Sequence, residues 1–266
     1  MRRTPRVATG HDKSRGDLRV TARSITVLGL ALVTSGVAIE ASAQSFDVKG
    51  LHVEQGAIEI ASDNAIFSGG AANRSAHEQV VHYGLRAWWR LSGAVEWENP
   101  VGQDVRASHV ALENLFVLRP LKQSNDLGLG FFAALEASIH NRSTNGFVFG
   151  PIVAAKWNKL TVTLNPFFEQ TFGRNREEGI AFTYGWQAKY ELREGLSVGV
   201  EGYGLVENLA DAPRLGDQEH RIGPVLFREI ELSKDVKIEP SIGVLFGLTP
   251  ATPDVTFRVN IDFHFH

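Results

Sequence analysis

The stretch 255–265 reads Val-Thr-Phe-Arg-Val-Asn-Ile-Asp-Phe-His-Phe, and it alternates without a break between apolar and polar side chains. Successive side chains of a β-strand point to opposite faces, so the apolar residues share one face and the polar residues share the other. The alternation suits a soluble sheet with a wet outer face. It equally suits a sheet whose apolar face meets lipid. Other parts of the sequence have to separate these two interpretations.

The same alternation recurs along the chain and predicts an all-β protein. Most of the predicted strands are 10–14 residues long, whereas strands of soluble proteins usually have about five or six residues. A tilted strand that crosses a membrane needs about 9–11 residues. The twelve predicted strands span approximately residues 50–62, 77–86, 90–98, 106–118, 127–139, 147–157, 160–172, 179–192, 196–207, 220–232, 236–248 and 254–265.

The connections between these strands differ in length in a regular way. They are mostly short after even-numbered strands, and longer and polar after odd-numbered ones, as in 63–76 and 208–219. Outer-membrane barrels have short periplasmic turns and longer extracellular loops, and an even strand count places both termini on the periplasmic side. Arg228 breaks the alternation of the tenth strand and predicts a bulge there. The sequence therefore favours a closed antiparallel transmembrane β-barrel of twelve strands.

Aromatic residues near the predicted strand ends give a second indication of a membrane protein. An interfacial girdle would place aromatic side chains there, and the alternative is that they fill a soluble core. The residues concerned are Trp88, Trp89, Trp97, Trp157, Phe172, Tyr190 and Phe263.

The N-terminus predicts a cleaved signal peptide over residues 1–43, followed by the barrel over 44–266. It is basic as far as Arg23, is apolar over 25–39, and reaches Ala41-Ser-Ala43 before Gln44. An apolar run of about 15 residues is too short to span a bilayer as a helix, and small residues at the first and third positions before the cleavage site are typical of export signals. A signal anchor or a buried helix is the alternative.

Composition excludes several classes of function. The chain has no cysteine, which removes disulfides and thiol chemistry. Residues 1–43 hold seven Lys or Arg and three acidic residues, which leaves the remaining chain with 20 basic and 27 acidic residues and a net charge near −7. An acidic chain without a basic stripe is not expected to bind nucleic acid.

The alternating aromatic residues at the end of the chain resemble the C-terminal signal of Gram-negative outer-membrane β-barrels. That signal normally ends on Phe or Trp, whereas here Phe265 is followed by His266. The stretches 220–227 and 243–254 also resemble uncharacterised proteobacterial barrels, some of them described as transporter-like proteins of the phenol-degradation MetA type. The resemblance implies the fold and a location in the outer membrane, and it supplies no catalytic or ligand-binding residue.

Charged residues on the polar faces of the strands are expected to line the lumen, because an unpaired Lys or Arg facing lipid at mid-depth costs about 2–4 kcal/mol. Such a lining could act as a selectivity lining, acidic on balance and mildly favouring cations. It could equally be a structural interior closed by cross-strand ion pairs. The predicted lumen residues are Glu96, Glu98, Glu113, Glu136, Lys156, Glu169, Lys189, Glu191, Glu201, Glu229, Glu231, Lys237, Glu239, Arg258 and Asp262.

The sequence thus predicts a porin-like passive channel or small-solute transporter, whose partners are outer-membrane lipid and small solutes. A closed barrel with a structural or surface-binding role is the alternative. An outer-membrane hydrolase is a third possibility, with His140 and Ser143, or His109 with Ser108 and Glu113, as candidate groups; no nucleophile motif surrounds them. No enzymatic activity, cofactor or metal is expected, since His264 and His266 alone are too few to form a structural site. Oligomeric state stays open.

Overall fold

The computed structural model describes residues 46–70, 73–122, 124–140, 144–174 and 176–265, so the predicted signal peptide lies outside the described residues. These residues form thirteen β-strands and one short 3₁₀ helix, Leu215–Asp217. In the part of the chain just defined, no helix is long and apolar enough to cross a membrane. The strands are β1 Ile58–Ser68, β2 Asn73–Arg86, β3 Trp89–Pro100, β4 Arg106–Arg119, β5 Asp126–Ser138, β6 Asn145–Trp157, β7 Leu160–Phe172, β8 Ala181–Arg193, β9 Leu196–Val206, β10 Glu219–Arg228, β11 Ile230–Ser233, β12 Val236–Gly247 and β13 Val255–Phe265.

The strands close into an antiparallel barrel, as the sequence predicts. Except for β10 and β11, which do not pair with each other, each strand pairs with its neighbours along the chain, and β1 pairs with β13, so that Ile58 lies opposite Phe265. Both β10 and β11 pair with β12, and together they form a single wall strand interrupted at Glu229. The N–H of Glu229 donates to the carbonyl of Gly195 (2.9 Å) at this interruption, next to the irregularity predicted at Arg228. The barrel wall therefore has twelve strands.

The two rims of the barrel differ. At one rim, here called the turn end, β2–β3, β6–β7, β8–β9 and β11–β12 are joined by two residues each, and β1 begins and β13 ends here. The opposite rim, the loop end, carries longer connections such as 173–180 and 207–218. The predicted long loop at 63–76 is wrong, because β1 continues to Ser68 and β2 begins at Asn73. The pattern of polar residues there belongs to paired strands.

The outer and inner faces of the wall reverse the arrangement of a soluble protein. Apolar side chains such as Leu112 and Phe246 point outward and are about half exposed, whereas Asp63 and Glu113 are buried inside. A protein in water would not leave a continuous apolar belt exposed, since large exposed apolar patches mark interaction with a membrane or another protein. The wall is consistent with a lipid-facing surface around a polar interior.

Aromatic side chains of the turn end lie on the outer face. Trp88 stacks on Trp89 (ring centroids 6.1 Å apart), and Trp89 stacks on Phe116 (5.9 Å). The indole N–H of Trp89 donates to Asn114 Oδ1 (3.1 Å). Trp88 is 54% exposed, so these rings do not fill a core. They have the position expected of an interfacial girdle.

Candidate functional site in the barrel lumen

The chain before β1, residues 46–57, runs through the lumen and is here called the N-terminal segment. Phe46 and Val48 are buried in a cluster with Tyr203 and Leu245 of the inner wall. The sequence-based prediction of a first strand over 50–62 is wrong over its first half. Apolar residues recur in the segment much as in a strand, but they pack on the inside of the barrel and not against lipid.

Hydrogen bonds fix this segment to two separate parts of the wall. Asn260 of β13 donates to the carbonyl of Phe46, and Asn165 of β7 donates to the carbonyl of Lys49, both at 3.0 Å. The strands β7 and β13 lie five neighbours apart around the closed sheet. The segment therefore crosses the lumen and does not line one side of it.

Glycines of the inner face make room for the crossing. A Cβ atom on Gly128 or on Gly130 of β5 would lie 2.5 Å from a methyl carbon of Leu51. A Cβ on Gly84 would overlap the carbonyl of Glu54. Leu51 packs here against a buried cluster that includes Leu115 and Ile152. These contacts explain why small residues recur on the inner face of β5.

The N-terminal segment borders two cavities of the lumen, one toward each end of the barrel. The loop-side cavity has a volume of about 120 Å³ and the turn-side cavity about 600 Å³. Asp47 of the segment borders both of them. A solute that crosses the barrel would have to pass this segment.

The loop-side cavity is strongly acidic. Its lining contains one ammonium group, that of Lys49, and six carboxylates, those of Asp47, Glu78, Glu96, Glu113, Glu136 and Glu169. Glu136 and Glu169 converge over Gly146, where an added Cβ would lie 3.0 Å from Glu136 Oε2 and 3.5 Å from Glu169 Oε1.

The ammonium group of Lys49 lies among these acidic side chains. Its Nζ lies 3.8 Å from Glu113 Oε1 and 3.5 Å from Asp47 Oδ2, and 5.8 Å from the centre of the Phe132 ring. Burial disfavours the charged ammonium, but the carboxylates of Glu113 and its neighbours outweigh burial and raise the pKa of Lys49 above its usual value. The side chain is therefore a charged ammonium enclosed by carboxylates.

The turn-side cavity has mixed charge. Its lining holds five basic residues, Lys156, Lys159, Lys189, Arg228 and Arg258, and six acidic residues, Asp47, Glu191, Glu194, Glu229, Glu239 and Asp262. Near the rim, Lys237 Nζ lies 2.5 Å from Glu239 Oε1. His264 lies between Glu59 (3.7 Å) and Glu239 (3.6 Å). The salt bridge between Lys237 and Glu239 offsets a part of the negative charge at this rim.

A buried ion pair ties β9 to β13 on the inner face. Arg258 Nη1 lies 2.6 Å from Glu201 Oε2, and both side chains are at most 3% exposed. Glu201 also accepts hydrogen bonds from Tyr203 and Gln187 (2.8 Å each), and Arg258 donates to Ser241. The pair has the good geometry and additional partners that a buried ion pair needs to be stable.

Most of the predicted lumen residues are thus distributed between three places. Glu96, Glu113, Glu136 and Glu169 border the loop-side cavity. Glu201 is fully buried in the wall. The turn-side cavity is bordered by Lys156, Lys189, Glu229, Glu239, Arg258 and Asp262.

Four residues that border the loop-side cavity are not among the predicted lumen residues: Lys49, Asp47, Glu78 and Asn165. The first two lie outside any strand. Glu78 lies in β2, where polar residues occur on both faces, so alternation does not identify the inner one. Asn165 alternates with apolar residues of β7, but its contact with the N-terminal segment depends on the fold.

The groups considered for hydrolysis do not assemble into a triad in the part of the chain that is described. His109 lies 3.6 Å from Glu96, and its Nε2 contacts the carbonyl of Thr144. Ser108 Oγ has no hydrogen-bond partner there. Ser143 and His266 lie outside the described residues, and the described part of the chain contains no group of three or more His, Asp or Glu side chains that could hold a metal ion.

Solved structures of outer-membrane channels have the same fold. The COG4313 outer membrane channel from Pseudomonas putida F1 aligns with a TM-score of 0.58 at 12% identity, over 82% of this chain and 98% of that one. The KdgM porin aligns with a TM-score of 0.52 at 15% identity, and the NanC porin with 0.52 at 10%. Each of these two alignments covers 78% of this chain and 99% of the porin.

No protein-family model matches the sequence, and no curated protein matches it significantly. The fold is therefore identified by its similarity to these solved structures. This chain has the fold of Gram-negative outer-membrane β-barrel channels.

Proposed function

We propose that this protein is exported to the Gram-negative outer membrane and forms a passive channel for small solutes, with the N-terminal segment as a movable obstruction. The single observation that carries the proposal is that a segment without strand pairing lies across the polar lumen and borders a cavity toward each end of the barrel. The segment is held by a few hydrogen bonds, by apolar packing and by the contact of Lys49 with Glu113, and no strand pairing ties it to the wall, so it can leave the lumen without opening the wall.

The loop end would face the outside of the cell and the turn end the periplasm, as in other outer-membrane barrels. A solute entering from outside would first meet the acidic loop-side cavity. A ring of carboxylates in a pore favours cations over anions. The KdgM structure contains oligogalacturonate, which is a polyanion, and the lining of this lumen argues against a similar solute here.

Single-channel recording in planar bilayers tests the proposal. Two proteins are compared: one beginning at Gln44, and one beginning at Glu54 that lacks most of the N-terminal segment. The shortened protein is expected to show larger or more frequent openings, with a reversal potential that indicates cation preference in a salt gradient. Heat-modifiable migration on a gel establishes that both proteins are folded.

A closed barrel with a structural or surface-binding role is the second candidate, and the dense packing around Phe46 and Leu51 favours it. The same recordings distinguish the two. Absence of discrete openings in the folded, shortened protein at any voltage would reject the channel and leave the closed barrel.

A further inference from the structure

We propose that the loop-side cavity is a binding site for primary alkylammonium solutes, and that the side chain of Lys49 occupies it as a tethered substitute for such a solute. This inference deepens the proposed function by naming a class of solute.

An alkylammonium group, the side chain of Lys49, already occupies the site. The Lys49 side chain is 6% exposed, and its aliphatic part lies within the barrel while Nζ approaches Glu113 and Asp47. The ring of Phe132 is close enough to add a cation–π contact. Carboxylates and an aromatic face are the groups that recognise an ammonium ion.

Polar atoms around Lys49 are left without partners. Asn165 is only 2% exposed, and its Oδ1 has no hydrogen-bond partner among the described residues. Glu113 is 5% exposed, and its Oε2 likewise has none in that part of the chain. A buried acceptor without a donor costs about 1–3 kcal/mol, so these two oxygens would gain from a ligand with several N–H donors. A primary ammonium has three such donors.

Acidic side chains outnumber basic ones around the cavity. Six acidic residues border it against one ammonium, and Glu136 and Glu169 form no salt bridge with any described residue. The free volume of about 120 Å³ beside Lys49 leaves room for a few non-hydrogen atoms. A small organic cation fits both the charge and the space. A metal ion is not favoured, because no group of three ligands that could hold one occurs among the described residues.

Chemical rescue tests the proposal. The substitution Lys49→Ala removes Cγ, Cδ, Cε and Nζ, and n-propylammonium supplies the same four atoms as a free molecule. The variant is refolded in detergent, and n-propylammonium is expected to raise both the folded yield on a heat-modifiability gel and the urea midpoint. Binding to Lys49→Ala should be at least about tenfold tighter than to the unsubstituted protein, in which Lys49 competes.

Two controls separate this site from general effects of charge and of apolar solutes. 1-Propanol matches the length of the probe without its charge and is expected to give no rescue. Lys156→Ala removes the same type of side chain from the turn-side cavity and should respond to n-propylammonium no more than the unsubstituted protein does. Adding Glu113→Gln to Lys49→Ala should weaken binding of the probe by about tenfold or more.

The proposal is overturned if n-propylammonium restores neither yield nor stability to Lys49→Ala, or if 1-propanol does so equally well. If Lys49→Ala does not fold alone, the yield with and without the probe still decides the question. Lys49→Met, which keeps the aliphatic stem without the ammonium, is measured alongside as a reference. The rescue experiment measures binding and does not depend on transport. If the protein conducts ions but n-propylammonium gives no rescue, only the ammonium site is rejected. If n-propylammonium gives rescue but the protein does not conduct, only the channel is rejected.

Discussion

The buried pair between Arg258 and Glu201 offers the sharpest test of how the interior stabilises the barrel. The substitution Arg258→Met keeps the bulk of the side chain but leaves the Glu201 carboxylate, which is 0% exposed, without its cation. Loss of one partner of a buried pair costs about 3–5 kcal/mol. The hydrogen bonds from Tyr203 and Gln187 stay in place and stabilise the carboxylate, so we expect the lower end of that range.

The assay is urea unfolding of the protein in lipid vesicles, followed by tryptophan fluorescence. The double variant Glu201→Leu with Arg258→Met is expected to recover most of the loss, because replacing both members of a buried pair by apolar residues is often close to neutral. Arg119→Met is the matched control: the Arg119–Asp126 pair is equally well formed (2.9 Å), but Arg119 is 56% exposed, and its loss should cost at most about 1 kcal/mol. The reasoning is refuted if Arg258→Met costs no more than Arg119→Met, or if the double variant loses the sum of both single losses.

Three further predictions concern the segment, the girdle and a loop. The side chain introduced by Gly130→Val should collide with Leu51 and expel the N-terminal segment, which would then be sensitive to protease in the folded protein. Adding Leu51→Ala should restore part of the protection. Continued full protection in Gly130→Val would contradict the packing described. In vesicles of brominated lipid, Trp88 fluorescence should be quenched more by bromine near the headgroups than by bromine near the chain ends, and the reverse order would remove Trp88 from the interface. Burial raises the pKa of Glu177, in the loop between β7 and β8, so the folded loop takes up a proton more readily than the unfolded one and becomes more stable as the pH falls through the raised pKa. Hydrogen exchange of the Glu177 N–H, which donates to Thr171 Oγ1 (2.7 Å), should therefore slow between about pH 7 and about pH 4 after correction for intrinsic rates, and Glu177→Gln should abolish this change.

The sequence determines the barrel because the wall is governed by a local rule. Each wall residue faces either lipid or the interior, so alternation in segments such as 160–172 and 236–247 specifies both the strand and its face. Strand length and the unequal connections then distinguish a membrane barrel from a soluble sheet. The irregularity at Arg228 is local too, and the break at Glu229 next to it follows from the same pattern.

The interior depends on contacts between residues far apart in the chain, and no local pattern predicts these. Residues 46–57 have a composition suited to a strand, yet the carbonyls of Phe46 and Lys49 are bound by Asn260 and Asn165, which are brought there by closure of the sheet. The final strand, Val255–Phe265, shows both the local alternation and the contacts between residues far apart in the chain. Its sequence by itself places Arg258, Asn260 and Asp262 on one face. Only the closed barrel decides that Arg258 meets Glu201 and that Asn260 holds the N-terminal segment, because those partners lie on other strands or outside the strands altogether.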